Sequence, residues 1–210
     1  MDERSLPVGS ADAAPPPPGA DAPRAAILDG KYRLERELSR GGMGKVHVAT
    51  HLHLDTRVAI KVLHDDAAEG DDHARFLQEA RAAAQLRHPN VVQVLDFGID
   101  RGRPYLVMEL LDGEPLRARL ERDGPLAASA TSAIVTDIAA ALTAAHAAGI
   151  VHRDLKPDNV FLVATAGAPI AKVLDFGVAK LAASPSAITT ASGAVLGTPA
   201  YMSPEQAQGA

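Results

Sequence analysis

Two polar segments constrain this chain more than anything else in it: His152-Arg153-Asp154-Leu155-Lys156-Pro157-Asp158-Asn159 and, further on, Asp175-Phe176-Gly177. Short apolar runs with strand character, at 160–163 and 170–174, lie beside them. Asp154 has a carboxylate able to orient a hydroxyl and accept its proton. Asn159 and Asp175 offer the hard oxygens that suit Mg²⁺. A fold for this chain therefore has to bring two strand-flanked loops to one place.

The rest of the chain separates by texture. Residues 1–28 are rich in Pro, Ala and Asp, with four consecutive prolines at Pro15 to Pro18, and are expected to form a disordered or polyproline tail. From Tyr32 onward, strand-like runs appear at 32–38, 46–51 and 57–63. Residues 72–87 then place Phe76, Ala80, Ala83 and Ala84 at helical spacing, ending at His88-Pro89-Asn90. Two further strands are expected at 91–97 and 104–110, with Asp100-Arg101-Gly102 turning between them. Beyond Asp112 the pattern is helical, and its longest candidate spans 126–148 with Ile134, Ile138, Ala141, Leu142 and Ala145 on one face and Gly149 as its stop. The expected architecture is a small β-rich lobe followed by a helical one.

Two more clusters acquire meaning from this order. Ser39-Arg40-Gly41-Gly42-Met43-Gly44-Lys45-Val46 lies between two strand signals, as in a hairpin whose backbone N–H groups can approach phosphate oxygens. Alone it is equally a flexible hairpin. A Walker A loop is excluded, because no Gly-Lys-Ser/Thr follows and the flanks are both strands. Val58-Ala59-Ile60-Lys61 ends in a lysine that could simply reach solvent. Glu79 on the following helix gives it another use, since a carboxylate there can hold the ammonium against the α- and β-phosphates of a nucleotide. Lys156 can neutralise charge on a moving phosphoryl group.

Composition removes several function classes. A net charge of −5 over 210 residues supplies no cation excess for nucleic acid. The absence of cysteine excludes disulfides and thiolate metal sites. No apolar run approaches the roughly 20 residues of a membrane helix, and no apolar stretch follows the N-terminal Met1-Asp2-Glu3-Arg4. A cytoplasmic location is expected.

Taken together, the Gly-rich segment, Val58 to Lys61, Glu79, His152 to Asn159, Asp175 to Gly177, Gly197-Thr198-Pro199-Ala200-Tyr201 and Ser203-Pro204-Glu205 resemble the protein-kinase superfamily, most closely the eukaryote-like Ser/Thr kinases of bacteria. The resemblance runs from about Tyr32 to the end of the chain. It implies an α+β bilobal fold, with an N-lobe over 29–110 and part of a C-lobe over 111–210. It also implies ATP and Mg²⁺ as cofactors and protein Ser/Thr hydroxyls as acceptors. Lys61 would anchor phosphates with Glu79 as its ion-pair partner, Asp154 would be the catalytic aspartate, and Asn159 and Asp175 the metal ligands. Gly41, Gly42 and Gly44 would cover the phosphates. Leu38, Val46, Ala59 and Phe161 would sandwich the purine, with Met108 as gatekeeper and Glu109 to Leu111 as the adenine hinge.

Regulation is implied as well. Arg153 beside the catalytic aspartate marks kinases whose activation segment is ordered by phosphorylation, and Thr190 and Ser192 are the favoured acceptors, with another kinase molecule as a partner in trans-autophosphorylation. Two residues depart from the family pattern: Ser39 replaces the first loop glycine and Ser203 the alanine of Ala-Pro-Glu. The chain ends at Ala210, five residues after Glu205, before the family's remaining C-lobe helices. The expected function is an ATP-dependent protein Ser/Thr kinase; the alternative is a fragment that keeps its nucleotide contacts but is inactive by truncation, at most binding nucleotide or a partner kinase.

Overall fold

Alternation of β-branched and polar residues builds an antiparallel sheet from β1 (Ile27–Leu28), β2 (Tyr32–Gly41), β3 (Gly44–His51), β4 (Thr56–Leu63), β5 (Val94–Asp100) and β6 (Arg103–Glu109), in the order β1-β2-β3-β4-β6-β5. The computed structural model describes residues 26–41, 44–64, 71–176 and 199–204. The strands of this sheet fall near where the sequence pattern puts them, except that β5 begins three residues later than the expected 91–97. Two strands are additions: β1 here, and a short one at Gly113–Pro115 in the region expected to be helical. Ile27 and Leu28 pair with Arg33 and Tyr32, and Leu28 is buried, so ordered backbone starts inside the stretch expected to be tail.

The period of two along β4 divides the sheet's faces. Val58 and Ile60 join Leu28, Tyr32, Ala49, Tyr105 and Val107 on one side. Ala59 and Leu63 join Phe76, Ala80, Ala83, Val92, Val94, Leu106 and Met108 on the other, where α1 (Asp71–Gln85) lies across the sheet. Phe76 is fully buried there, and its loss would cost on the order of 3–5 kcal/mol. On the first side the sheet's curl is closed by polar contacts. Tyr32 Oη donates to Asp96 Oδ2 at 2.8 Å and Tyr105 Oη donates to Asp29 Oδ2 at 2.7 Å. Lys31 Nζ sits between the two carboxylates, 2.9 Å from Asp29 and 3.8 Å from Asp96.

A second sheet, β7 (Gly113–Pro115), β8 (Val160–Val163) and β9 (Ile170–Val173), carries α2 (Leu116–Asp123) and α3 (Ala128–Ala147). Leu116, Ile134, Val160, Leu162 and Ala171 form one core here, and Ala141, Ala145, Val173 and Phe176 form another with Leu86 and Val91. Gly149, at φ 74, closes α3 as expected, with the Ile150 N–H donating back to Ala145 O at 2.9 Å.

One expectation needs correcting. α3, at 20 residues, is long and apolar enough to cross a membrane by length and composition. Its hydropathy is spread over many alanines interrupted by Ser, Thr and Asp137, which is why no continuous apolar run announces it. Its buried residues, Ile134, Ala141 and Ala145, pack on β9 and Phe176, and most of the rest of the helix is exposed.

Candidate active site

The loop from His152 to Asn159 is held in shape from within. Asn159 Nδ2 donates to the Asp154 backbone oxygen at 2.8 Å and to Asp154 Oδ2 at 3.1 Å. Lys156 Nζ lies 3.1 Å from the same Oδ2, and a 3₁₀ turn over Pro157–Asn159 closes with the Asn159 N–H on Lys156 O. One carboxylate oxygen thus meets an amide and an ammonium, so Asp154 is held in a fixed orientation. His152, 3% exposed, anchors the loop from below: its Nδ1 accepts the Asp154 N–H at 3.2 Å and its Nε2 lies 2.8 Å from Leu174 O. The same ring packs edge-on against Phe176, with centroids 5.0 Å apart. Burial pushes this imidazole's pKa down.

Two non-glycine residues of the site, Arg153 (φ 63) and Asp175 (φ 55), occupy the left-handed region. Such conformations cost of order 1 kcal/mol or more and persist where surrounding contacts fix them. The bonds of His152 and Leu174 are those contacts.

Lys61 enters from the other sheet. It is 8% exposed at the inner face of β4, and its Nζ lies 2.7 Å from Asp175 Oδ2. The ion pair in this structure is therefore Lys61–Asp175. Glu79 is half-buried on α1, makes no ion pair with Lys61, and lies in the field of Arg153. Burial raises its pKa, and the Arg153 charge opposes that shift only partly. The structure thus brings the lysine to Asp175 and leaves the expected glutamate apart.

Apolar residues expected at the purine assemble on the α1 side of the sheet. Ala59 and Met108 are buried in one cluster, and Val46 and Leu111 pack against it. Leu38 stays 41% exposed on β2, and Phe161 is half-buried on β8, paired with Lys172 and Pro115. Glu109 ends β6, and Leu110 and Leu111 lead into β7, so this segment joins the two sheets. Gly44 has its own reason to be glycine: at φ 152, a Cβ would meet Val62 O at 2.2 Å. Gly41 pairs with Gly44 and would meet nothing, leaving space beside the hairpin. Gly42, Thr190 and Ser192 lie outside the described residues. Residues that sequence reasoning passed over also meet here: Asn90, Gln93 and Lys172 bind the end of β6 to β9. Only the His88-Pro89-Asn90 helix stop hinted at them.

The donor chemistry fits a hard divalent cation carried with phosphates. Asn159 spends its amide nitrogen on Asp154, which leaves its amide oxygen, with the Asp175 carboxylate, as the hard oxygens the chain can offer. Among the described residues no group of three or more His, Asp or Glu forms a metal cage. A hard ion bound by one or two protein oxygens, with phosphates and water completing its shell, needs no more than this pair.

Comparison with known proteins agrees with this geometry. The protein kinase domain model matches residues 32–210. The serine/threonine-protein kinase Pkn1 of Myxococcus xanthus is 48% identical over 192 residues, covering 90% of this chain and 27% of Pkn1. The serine/threonine-protein kinase PknA of Mycobacterium tuberculosis is 43% identical over 195 residues, covering 90% of this chain and 44% of PknA. The chain thus spans less than half the length of either relative. Among solved structures, the Mycobacterium tuberculosis PknI kinase domain aligns with a TM-score of 0.65 at 32% identity, over 76% of this chain and 64% of that one. The curled six-stranded sheet with one helix across it, joined to a smaller sheet with helices, is the bilobal kinase fold, and the chain belongs to the protein kinase family.

Proposed function

We propose that this protein transfers the γ-phosphoryl group of ATP to Ser or Thr hydroxyls of proteins, with Mg²⁺ as the cation and with autophosphorylation of its own activation segment. The observation that carries this reading is one Asp154 oxygen held by Asn159 and Lys156, on a loop whose metal-ligand neighbour Asp175 contacts the buried Lys61. Nucleotide and cation supply the activated phosphoryl group and the screening of its charge. Asp154 orients the acceptor hydroxyl and takes its proton as the new O–P bond forms and the bond to the leaving diphosphate breaks. Lys156, beside it, offsets negative charge on the group in flight. Asn159 and Asp175 would hold the cation, and Lys61 would hold the phosphates. Val46, Ala59, Met108, Leu111 and Phe161 receive the purine against the Glu109–Leu111 backbone, and Arg153 awaits a phosphate on Thr190 or Ser192. ATP as the donor places this chemistry in the cytoplasm, and a second copy of the kinase is the partner in trans.

The test is incubation of the purified protein with labelled ATP, Mg²⁺ and a Ser/Thr peptide library. Label should appear on peptides and, by mass spectrometry, between residues 184 and 192. A folded protein that binds ATP but labels neither peptide nor itself would refute the transferase reading.

A further inference from the structure

The end of β6 is tied to β9 by charge as well as by backbone. Glu109 Oε1 accepts from Lys172 Nζ at 2.5 Å and from the Gln93 N–H at 2.8 Å, and the Glu109 N–H returns a bond to Gln93 O at 3.1 Å. The segment before β5 continues the tie. Buried Asn90 donates from Nδ2 to Ala171 O at 3.0 Å, the Val173 N–H donates to Asn90 O at 2.8 Å, and the Val92 N–H donates to Val173 O at 3.0 Å. The Lys172 and Glu109 side chains are 18% and 30% exposed, so their pair is better shielded than a surface ion pair of negligible worth. Removing the ammonium would leave a half-covered carboxylate with only the Gln93 N–H for company.

β9 and the residues that follow it therefore touch both ends of the proposed nucleotide site. Lys172 grips Glu109, where the Glu109–Leu111 segment begins, and three residues later Asp175 meets Lys61. We propose that Lys172 is a positioning residue for nucleotide binding. By holding the Glu109 carboxylate it sets the rotation of the Glu109–Leu111 backbone and its separation from Asp175, so that one nucleotide can engage both. The inference rests on the nucleotide site proposed above and adds to it a residue that touches neither nucleotide nor acceptor.

The test uses Lys172→Met, Lys172→Arg and Glu109→Gln. Lys172→Met is expected to weaken binding of a fluorescent ATP analogue, read without turnover, by roughly tenfold, the equivalent of about 1.4 kcal/mol. KM for ATP should rise in parallel while kcat changes by less than about threefold, and Lys172→Arg should restore most of the affinity. In the nucleotide-free protein, amide exchange over residues 109–112 should quicken in Lys172→Met. Glu109→Gln, which keeps an acceptor for Gln93 but loses the charge, should shift affinity in the same direction and carries the test if Lys172→Met does not fold. If wild type binds the analogue and Lys172→Met binds it equally well, with only a lowered Tm, the positioning role is wrong and the kinase reading stands. Tighter binding in Lys172→Met would overturn it too, because the pair would then be a restraint. Failure of folded wild type to bind the analogue overturns both readings.

Discussion

On the six-stranded side, the residues gathered toward the candidate site are Val46, Ala59, Met108 and Leu111, an apolar wall around one buried ammonium, that of Lys61. On the three-stranded side they are Asp154, Lys156, Asn159 and Asp175, each engaged through its side chain in hydrogen bonds or ion pairs, with two residues of that loop region in left-handed backbone. One region offers surface and a single charge, the other offers oriented polar atoms. Apolar contact is non-directional and tolerates change of about a methylene, whereas a hydrogen-bonded carboxylate loses its function with one atom. Substitutions of these eight residues, Lys61 apart, should therefore fall into two classes, affinity on the first side and turnover on the second. Phe161 and Lys172, on β8 and β9, are expected to act on affinity from the three-stranded side.

The sharpest test of that division is Asp154→Asn. It keeps the shape and removes the proton acceptor, so kcat should fall by at least about 10²-fold while ATP affinity stays within a few-fold. Equal losses in affinity and turnover would break the comparison, because Asp154 would then belong with the binding surface. Next in size is Lys61→Met, expected to cost roughly 10²-fold in activity, since it is the one charge the apolar side contributes. Here the structure qualifies the sequence pattern, because Lys61 pairs with Asp175 and Glu79 stands apart. If binding of nucleotide draws Glu79 to Lys61, Glu79→Gln and Lys61→Met will be strongly non-additive in activity. A double variant showing the full sum of both losses would leave Glu79 outside the machinery, and the Lys61–Asp175 pair would be the functional one.

What could be read from the sequence divides along similar lines. β3 and β4 were legible because Val46, Val48, Val58 and Ile60 follow a period of two, and α3 because Ile134, Ala141 and Ala145 follow a helical one. The two-residue β1 was not, since Ile27 and Leu28 become a strand only through Arg33 and Tyr32, a pairing no local pattern encodes. Asn159 stands out in the sequence only as a metal ligand, yet its contact with Asp154 is a local one, five positions along the chain and across one turn. The partner of Lys61 could not: it depends on how α1 sits against the sheet, which is a packing outcome of Phe76, Ala80 and Ala83 and not a spacing. Lys172 and Glu109 lie 63 residues apart and carry no shared motif, so only the fold discloses them.

The smallest expected effect concerns pH, and it asks whether acid sensitivity resides on the polar side. His152 uses both ring nitrogens as a neutral imidazole, accepting the Asp154 N–H at Nδ1 and donating from Nε2 to Leu174 O. Burial lowers its pKa; the Leu174 oxygen and the Asp175 and Asp154 charges raise it, but by less. A folded pKa below the unfolded value of about 6.5 means that the unfolded chain binds the proton first. The stability contributed by the neutral ring is therefore fully present above about pH 6.5 and is lost as pH falls toward the folded pKa, with a slope of at most about 1.4 kcal/mol per pH unit. His47 on β3 is also lowered by burial, so the six-stranded side has its own candidate. Urea unfolding between pH 7.5 and 5 should show the slope in wild type and in His47→Gln, and a smaller slope in His152→Phe, which retains the ring packing on Phe176 but cannot be protonated. Protonation at Nδ1 would also remove the acceptor that holds the Asp154 N–H, so activity in His47→Gln should fall over the same interval as stability. A slope that survives in His152→Phe and disappears in His47→Gln would move the acid-sensitive element to the apolar side and undo the division between the two regions.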